Sequence, residues 1–125
     1  MEATLELYRD STLLFQSAGK WLYPLFELED FLATSELDPA SLTVRDRIVG
    51  RAAALLLLRL GLRRVQAGVL SVLAREVLDR FQAQYSWDTL VDRILCETEQ
   101  ILHEVSDPAE AYDIVCRKAG RCRPA

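Results

Sequence analysis

The stretch VRDRIVGRAAALLLLRLG, Val44 to Gly61, passes from a polar approach through Gly50 and Arg51 into an unbroken apolar run, Ala52 to Leu58. Bounded by Arg51 and Arg59, the run falls far short of the ~20 residues a membrane span needs. Alanine and leucine favour helix and Gly61 is a natural stop, so a helix is expected from about Val49 to Leu60. Upstream, SLTVRD places Leu42 and Val44 on one side of a strand. Downstream, RRVQAGVL alternates Val65, Ala67 and Val69 as a second strand. The three pieces make a β-α-β unit, with parallel strands and a right-handed connection. A helix apolar almost all round must be covered on more than its sheet side, by a second layer or a partner chain.

Working outward, TLELY and STLLFQS flank Arg9-Asp10 as a β-hairpin. From Pro24, the residues Leu25, Leu28, Phe31 and Leu32 recur at helical spacing up to about Ser35. Ser71 is a candidate cap for a helix whose stripe is Leu73, Val77, Leu78 and Phe81. QYSW then reads as a last short strand, and Ser86 or Asp88 as the cap of a long helix with Leu90, Val91, Ile94, Leu95, Ile101, Leu102 and Val105 on its buried side. SDPAEAY starts a final helix, with Asp107 as cap, Pro108 first and Glu110 third. That helix should stop at Gly120. The expected organisation is one α/β domain over residues 1–120, three-layer α/β/α with a mixed sheet, and a flexible tail at 121–125.

Fifteen basic and nineteen acidic residues give a net charge of -4. No global positive field is available for nucleic acid or an anionic membrane. The N-terminus MEATLELYRD lacks the basic region of a secretory signal, and three irregularly spaced cysteines suit a reducing compartment. A cytoplasmic location is expected, with neither nucleic acid nor membrane as a partner.

The segments DRIVGRAAALLLL, VQAGVLS, CETE and SDPAEAY resemble a small prokaryotic family of domains of unknown function. The likeness runs from the hairpin to the Asp107-Pro108 cap, and it implies a cytidine-deaminase-like fold. The family's Cys-Pro-x-Glu motif is matched at Cys96 and Glu99, with Glu97 in place of the proline.

Zinc-deaminase chemistry does not follow from that fold. A zinc deaminase requires His or Cys two residues before a catalytic Glu at one helix start, and Pro-Cys-x-x-Cys at the next. The corresponding segments here, VGRAAA and GVLSVLAR, contain no His, Cys, Asp or Glu. No metal, cofactor or catalytic residue is assigned, and the balance lies against an enzyme.

Three features remain as candidates. The first is a ligand mouth at Asp46, Arg47, Gly50, Arg51 and Ser71. Helix N-termini beyond the carboxyl ends of parallel strands attract anions, and Arg51 offers a forked donor for phosphate or carboxylate. The competing reading has Gly50 serving close packing and Arg51 pairing with Asp46. The second is a helix face with Cys96, Glu99, Gln100 and His103. Cys96 and His103 lie about 10 Å apart along the axis, too far for a dyad, so a Glu99–His103 pair on an interface is the plainer reading. Cys116 and Cys122 read as decoration of a basic helix end with Arg117, Lys118, Arg121 and Arg123.

The third candidate is a surface built from Trp21, Tyr23, Phe26, Tyr85 and Trp87, since aromatics are favoured at interfaces. With the apolar helices it favours a homodimer. The sequence therefore supports non-catalytic binding of a small anionic metabolite or nucleotide at the mouth. Its rivals are an interaction or homo-oligomerisation module and, third, a Cys96-dependent enzyme or redox protein.

Overall fold

The computed structural model describes residues 3–94, 99 and 101–119. Its order is β1 (Leu5–Arg9), β2 (Thr12–Ser17), α1 (Tyr23–Ala33), a 3-10 turn (Pro39–Ser41), β3 (Thr43–Val49), α2 (Arg51–Arg59), β4 (Arg64–Ser71), α3 (Val72–Arg80), β5 (Gln84–Val91) and α4 (Pro108–Ala119). The strands form one mixed sheet in the order β2-β1-β3-β4-β5. β1 runs antiparallel to β2 and β3, whereas β3, β4 and β5 are parallel. The hairpin turns at Asp10, which adopts positive φ, and Gly61 ends α2 at φ 91°.

Register fixes the two faces of the sheet. Phe15, Leu7, Val44, Val65 and Tyr85 form one cross-strand row, and Leu7, Val44 and Val65 are buried. The neighbouring row Gln16, Glu6, Arg45, Gln66 and Ser86 points the other way and is wholly polar. The crossovers through α1, α2 and α3 all run in the same direction across the sheet, so their right-handedness places these helices on the apolar face.

The sheet and α1–α3 cannot by themselves cover α2, in which every residue from Arg51 to Leu58 is buried. The missing cover is α4, which packs on α2 and buries Ala111, Val115 and Cys116. Tyr112 pins it: its hydroxyl donates to Glu29 Oε1 of α1 at 2.8 Å, and the Arg59 guanidinium of α2 lies 3.4 Å above its ring. The α/β class and mixed sheet are as expected. Among the described elements the third layer is a helix stacked on helices, not a helix on the far sheet face. No helix is long and apolar enough to cross a membrane among the described residues.

The expected long helix does not begin where its pattern puts it, although Glu99 and Ile101 are helical and residues 95–98 and 100 lie outside the described ones. Ser86 and Asp88 cap nothing: β5 continues to Val91, with Leu90 opposite Leu70 and Val91 opposite Ser71. Backbone pairing with a neighbouring strand outweighs the helical spacing of two apolar residues, a non-local term that a pattern along the chain does not contain. Ser71 does cap α3, its hydroxyl accepting from the Ala74 N–H at 3.0 Å. Asp107 caps α4 through the Glu110 N–H at 3.3 Å. The expected stop at Gly120 and the tail at 121–125 lie outside the described residues.

Candidate functional site

Two regions follow from β3, one at its end and one within it. At the end, Gly50 is the extended N-cap of α2 and has no side chain to satisfy the helix's first N–H groups. Glu99 supplies the acceptor. Its Oε2 accepts from the Arg51 N–H at 2.6 Å and its Oε1 from the Ile94 N–H at 3.2 Å, with the side chain almost wholly buried. A carboxylate suits a helix N-terminus because the aligned peptide dipoles leave partial positive charge there. Gly50 is required by this docking, since a Cβ would stand 2.8 Å from Glu99 Oε2 and 3.2 Å from Ile94 Cγ1.

Arg51 is 4% exposed and its side-chain donors are engaged within the chain. Nε donates to the Val105 carbonyl at 2.7 Å. Nη1 donates to the Leu73 carbonyl at 3.0 Å and to Glu76 Oε2 at 3.4 Å, and Nη2 to Ser106 Oγ at 3.0 Å. One guanidinium thereby ties the start of α2 to α3 and to the segment before α4. Its partners do not include Asp46. With Ser71 fully buried in its cap, both helix entrances are closed by groups of the chain itself.

Within β3 the situation is different. Asp46 belongs to the core-facing row Ser17, Leu5, Asp46, Ala67 and Trp87, where register places a carboxyl beside Leu5. Burial pushes it up to about 7, against the backbone N–H groups of Ile48 and Arg47, which pull downward. Beside it the sheet tightens: a Cβ on Gly68 would lie 2.5 Å from the Arg47 carbonyl oxygen, so only glycine fits. Thr4 closes this end of the sheet, its carbonyl accepting from the Arg47 N–H at 2.9 Å and its hydroxyl donating to Gly19 O at 2.9 Å.

Two clefts adjoin here. One, of about 350 Å³, is lined by Glu6, Arg45, Gly68 and Asp88. The other, of about 230 Å³, opens at the start of α1 beside Lys20, Trp21, Pro24 and Ile48. Thr4, Asp46 and Arg47 line both. The arrangement combines a carboxyl that is part protonated near neutral pH with arginine and lysine side chains and an apolar lip.

The profile of a family described as a domain of unknown function, DUF1893, matches residues 6–118. The chain belongs to the DUF1893 family. It is similar to a DUF1893 family protein from Thermotoga maritima of known crystal structure, with 27% sequence identity and a TM-score of 0.81, over 93% of this chain and 80% of that one. No curated protein matches it.

In this DUF1893 domain the five expected mouth residues divide. Asp46 and Arg47 face clefts, while Gly50, Arg51 and Ser71 build closed helix entrances. The second candidate face also divides. Glu99 is buried at the α2 entrance, whereas the His103 side chain is exposed and lies 3.6 Å from Glu104. Cys96 and Gln100 lie outside the described residues, as do Cys122, Arg121 and Arg123. Cys116 is not surface decoration: it is buried on the inner side of α4. Among the aromatics, Phe26 is core and Tyr85 half-buried, while Trp21, Tyr23 and Trp87 are exposed. Sequence reasoning missed the docking role of Glu99. The signal available was a helix entrance at Gly50 with no capping side chain of its own.

Proposed function

We propose that this domain is a non-catalytic binding module for a small anionic metabolite, nucleotides included, held at the Asp46–Arg47 part of the mouth. The observation that carries the reading is that Asp46 and Arg47 line two adjoining clefts at once. The larger cleft reaches the volume of a small-molecule site, and a few converging polar groups are the usual form of one. Gly50, Arg51 and Ser71 act in this reading by holding the adjacent helix entrances rigid. The N-terminal hairpin followed by two parallel β-α-β units supports a cytidine-deaminase-like description of the fold, and chemistry is not carried over with it.

Thermal-shift measurements against phosphorylated and carboxylated metabolites test the reading. At least one should stabilise the protein, and Arg47→Ala should abolish that stabilisation. Silence across the panel, or a stabilisation that Arg47→Ala leaves intact, overturns it.

A second reading, a homodimer or protein-interaction module, is favoured by Trp21 and Ile48, exposed at the smaller cleft, and by exposed Tyr23 beside Trp21. Light scattering after size exclusion distinguishes it. A dimer that Ile48→Asp converts to monomer supports the module, and a monomer throughout removes it.

A further inference from the structure

Trp21 has φ 57°, and the other non-glycine residues with positive φ are Asp10 and Gln82 among the described ones. Asp10 turns the β1–β2 hairpin, and aspartate tolerates left-handed backbone through its short polar side chain. A tryptophan there is unusual, and strained conformations of this kind concentrate at binding sites. The strain does not serve the core, because the indole is 41% exposed. It holds the ring at the lip of the 230 Å³ cleft, braced edge-on by Tyr23 at 5.3 Å between centroids, with half-exposed Ile48 also lining the lip.

Asp46, Lys20 and Arg47 line the same cleft. A small free phosphate has no use for the indole or for a carboxyl. A simple organic cation would be opposed by Lys20 and Arg47. A planar ring satisfies the apolar lip by stacking. A ring edge carrying adjacent donor and acceptor atoms satisfies a carboxyl that, with its proton on, both donates and accepts. An anionic substituent satisfies the cations.

Resting on the small-molecule reading above, we propose that the cleft takes a planar heteroaromatic ring with an amide or amidine edge and an anionic substituent. The ring lies against Trp21 and Ile48, its edge meets Asp46, and its anionic group meets Arg47 or Lys20.

The chain has two tryptophans, so Trp87→Phe leaves Trp21 as the sole indole reporter. That protein is titrated by fluorescence and calorimetry with adenosine, cytidine, guanosine and uridine monophosphates, ribose 5-phosphate and inorganic phosphate. At least one nucleoside monophosphate should quench Trp21 and bind about 10-fold or more tighter than ribose 5-phosphate, the tightening typical of one added base-stacking contact. In the parent protein, Trp21→Gly suits the positive φ and keeps the backbone. By calorimetry it should remove that advantage while leaving the melting temperature within a few degrees, and Asp46→Ala, which offers the ring edge neither donor nor acceptor, should reduce it.

Ribose 5-phosphate binding as tightly as every nucleotide, with Trp21 unquenched, overturns the ring proposal and leaves the small-molecule reading standing. Absence of binding by all six probes overturns the ring proposal too. Silence across the wider metabolite panel is the separate result that ends the broader reading.

Discussion

The two ends of the short path from Asp46 to Arg51 meet opposite fates. At Arg51 a helix N-terminus and a guanidinium, both suited to hold a foreign anion, are saturated from within by Glu99, two carbonyls, Glu76 and Ser106. At Asp46 a carboxyl that belongs to the core-facing row instead borders two clefts. Charged residues five positions apart on one strand and the helix it feeds thus serve different ends. The first makes architecture, and the second leaves room for a ligand. What separates them is whether another segment of the chain arrives to supply partners.

The sharpest way to break this contrast is Arg51→Leu. If the guanidinium is structural, its loss strands the Val105 and Leu73 carbonyls and the Ser106 hydroxyl. Stability should fall by about 2–4 kcal/mol, as when buried acceptors lose their donor. Denaturant unfolding measures this, and a loss below about 1 kcal/mol would place Arg51 with the ligand residues after all.

Gly50→Ala should destabilise by about 1–3 kcal/mol through overpacking against Glu99 and Ile94. Combining it with Glu99→Ala should give less than the sum of the two single effects, because the clash partner is gone. Strict additivity would mean that Glu99 does not dock at the entrance.

Asp46 sharpens the other side of the comparison through pH. Its carboxyl is raised from 3.8 to about 7, so the folded state holds a proton that the unfolded chain releases between those values. The stability tied to that proton is complete below about pH 4, falls as pH rises towards 7, and is flat above it. Asp46→Asn removes the dependence. Relative to the parent it should gain about 2 kcal/mol at pH 8 and little at pH 4, discounting the full shift for partial exposure. Melting curves at the two pH values measure the difference, and equal effects at both would assign Asp46 to solvent.

The smallest effect belongs to Ser71→Ala, about 1 kcal/mol for loss of a helix cap. Calorimetric melting measures it, and no ligand-binding defect should accompany it.

Local rules carry much of the fold. The apolar run from Ala52, the stop at Gly61 and the caps at Ser71 and Asp107 each depend on neighbours a few residues away, and all four stand where composition and spacing put them. Leu90 and Val91 do not, because pairing with Leu70 and Ser71 across the sheet outweighs a helical stripe. The candidate site was legible in its residue types: an anion does sit at the α2 entrance, but it is the chain's own Glu99, 48 residues further on.

By itself, then, the sequence determined the α/β class, the β-α-β units and the absence of zinc-deaminase motifs, because periodicity, capping and motif content are properties of short stretches of chain. Only the tertiary structure decided that Arg51 is walled in while Asp46 borders open clefts. Burial and hydrogen-bond partnership depend on which distant segments meet, and nothing within the few residues around either side chain encodes that meeting.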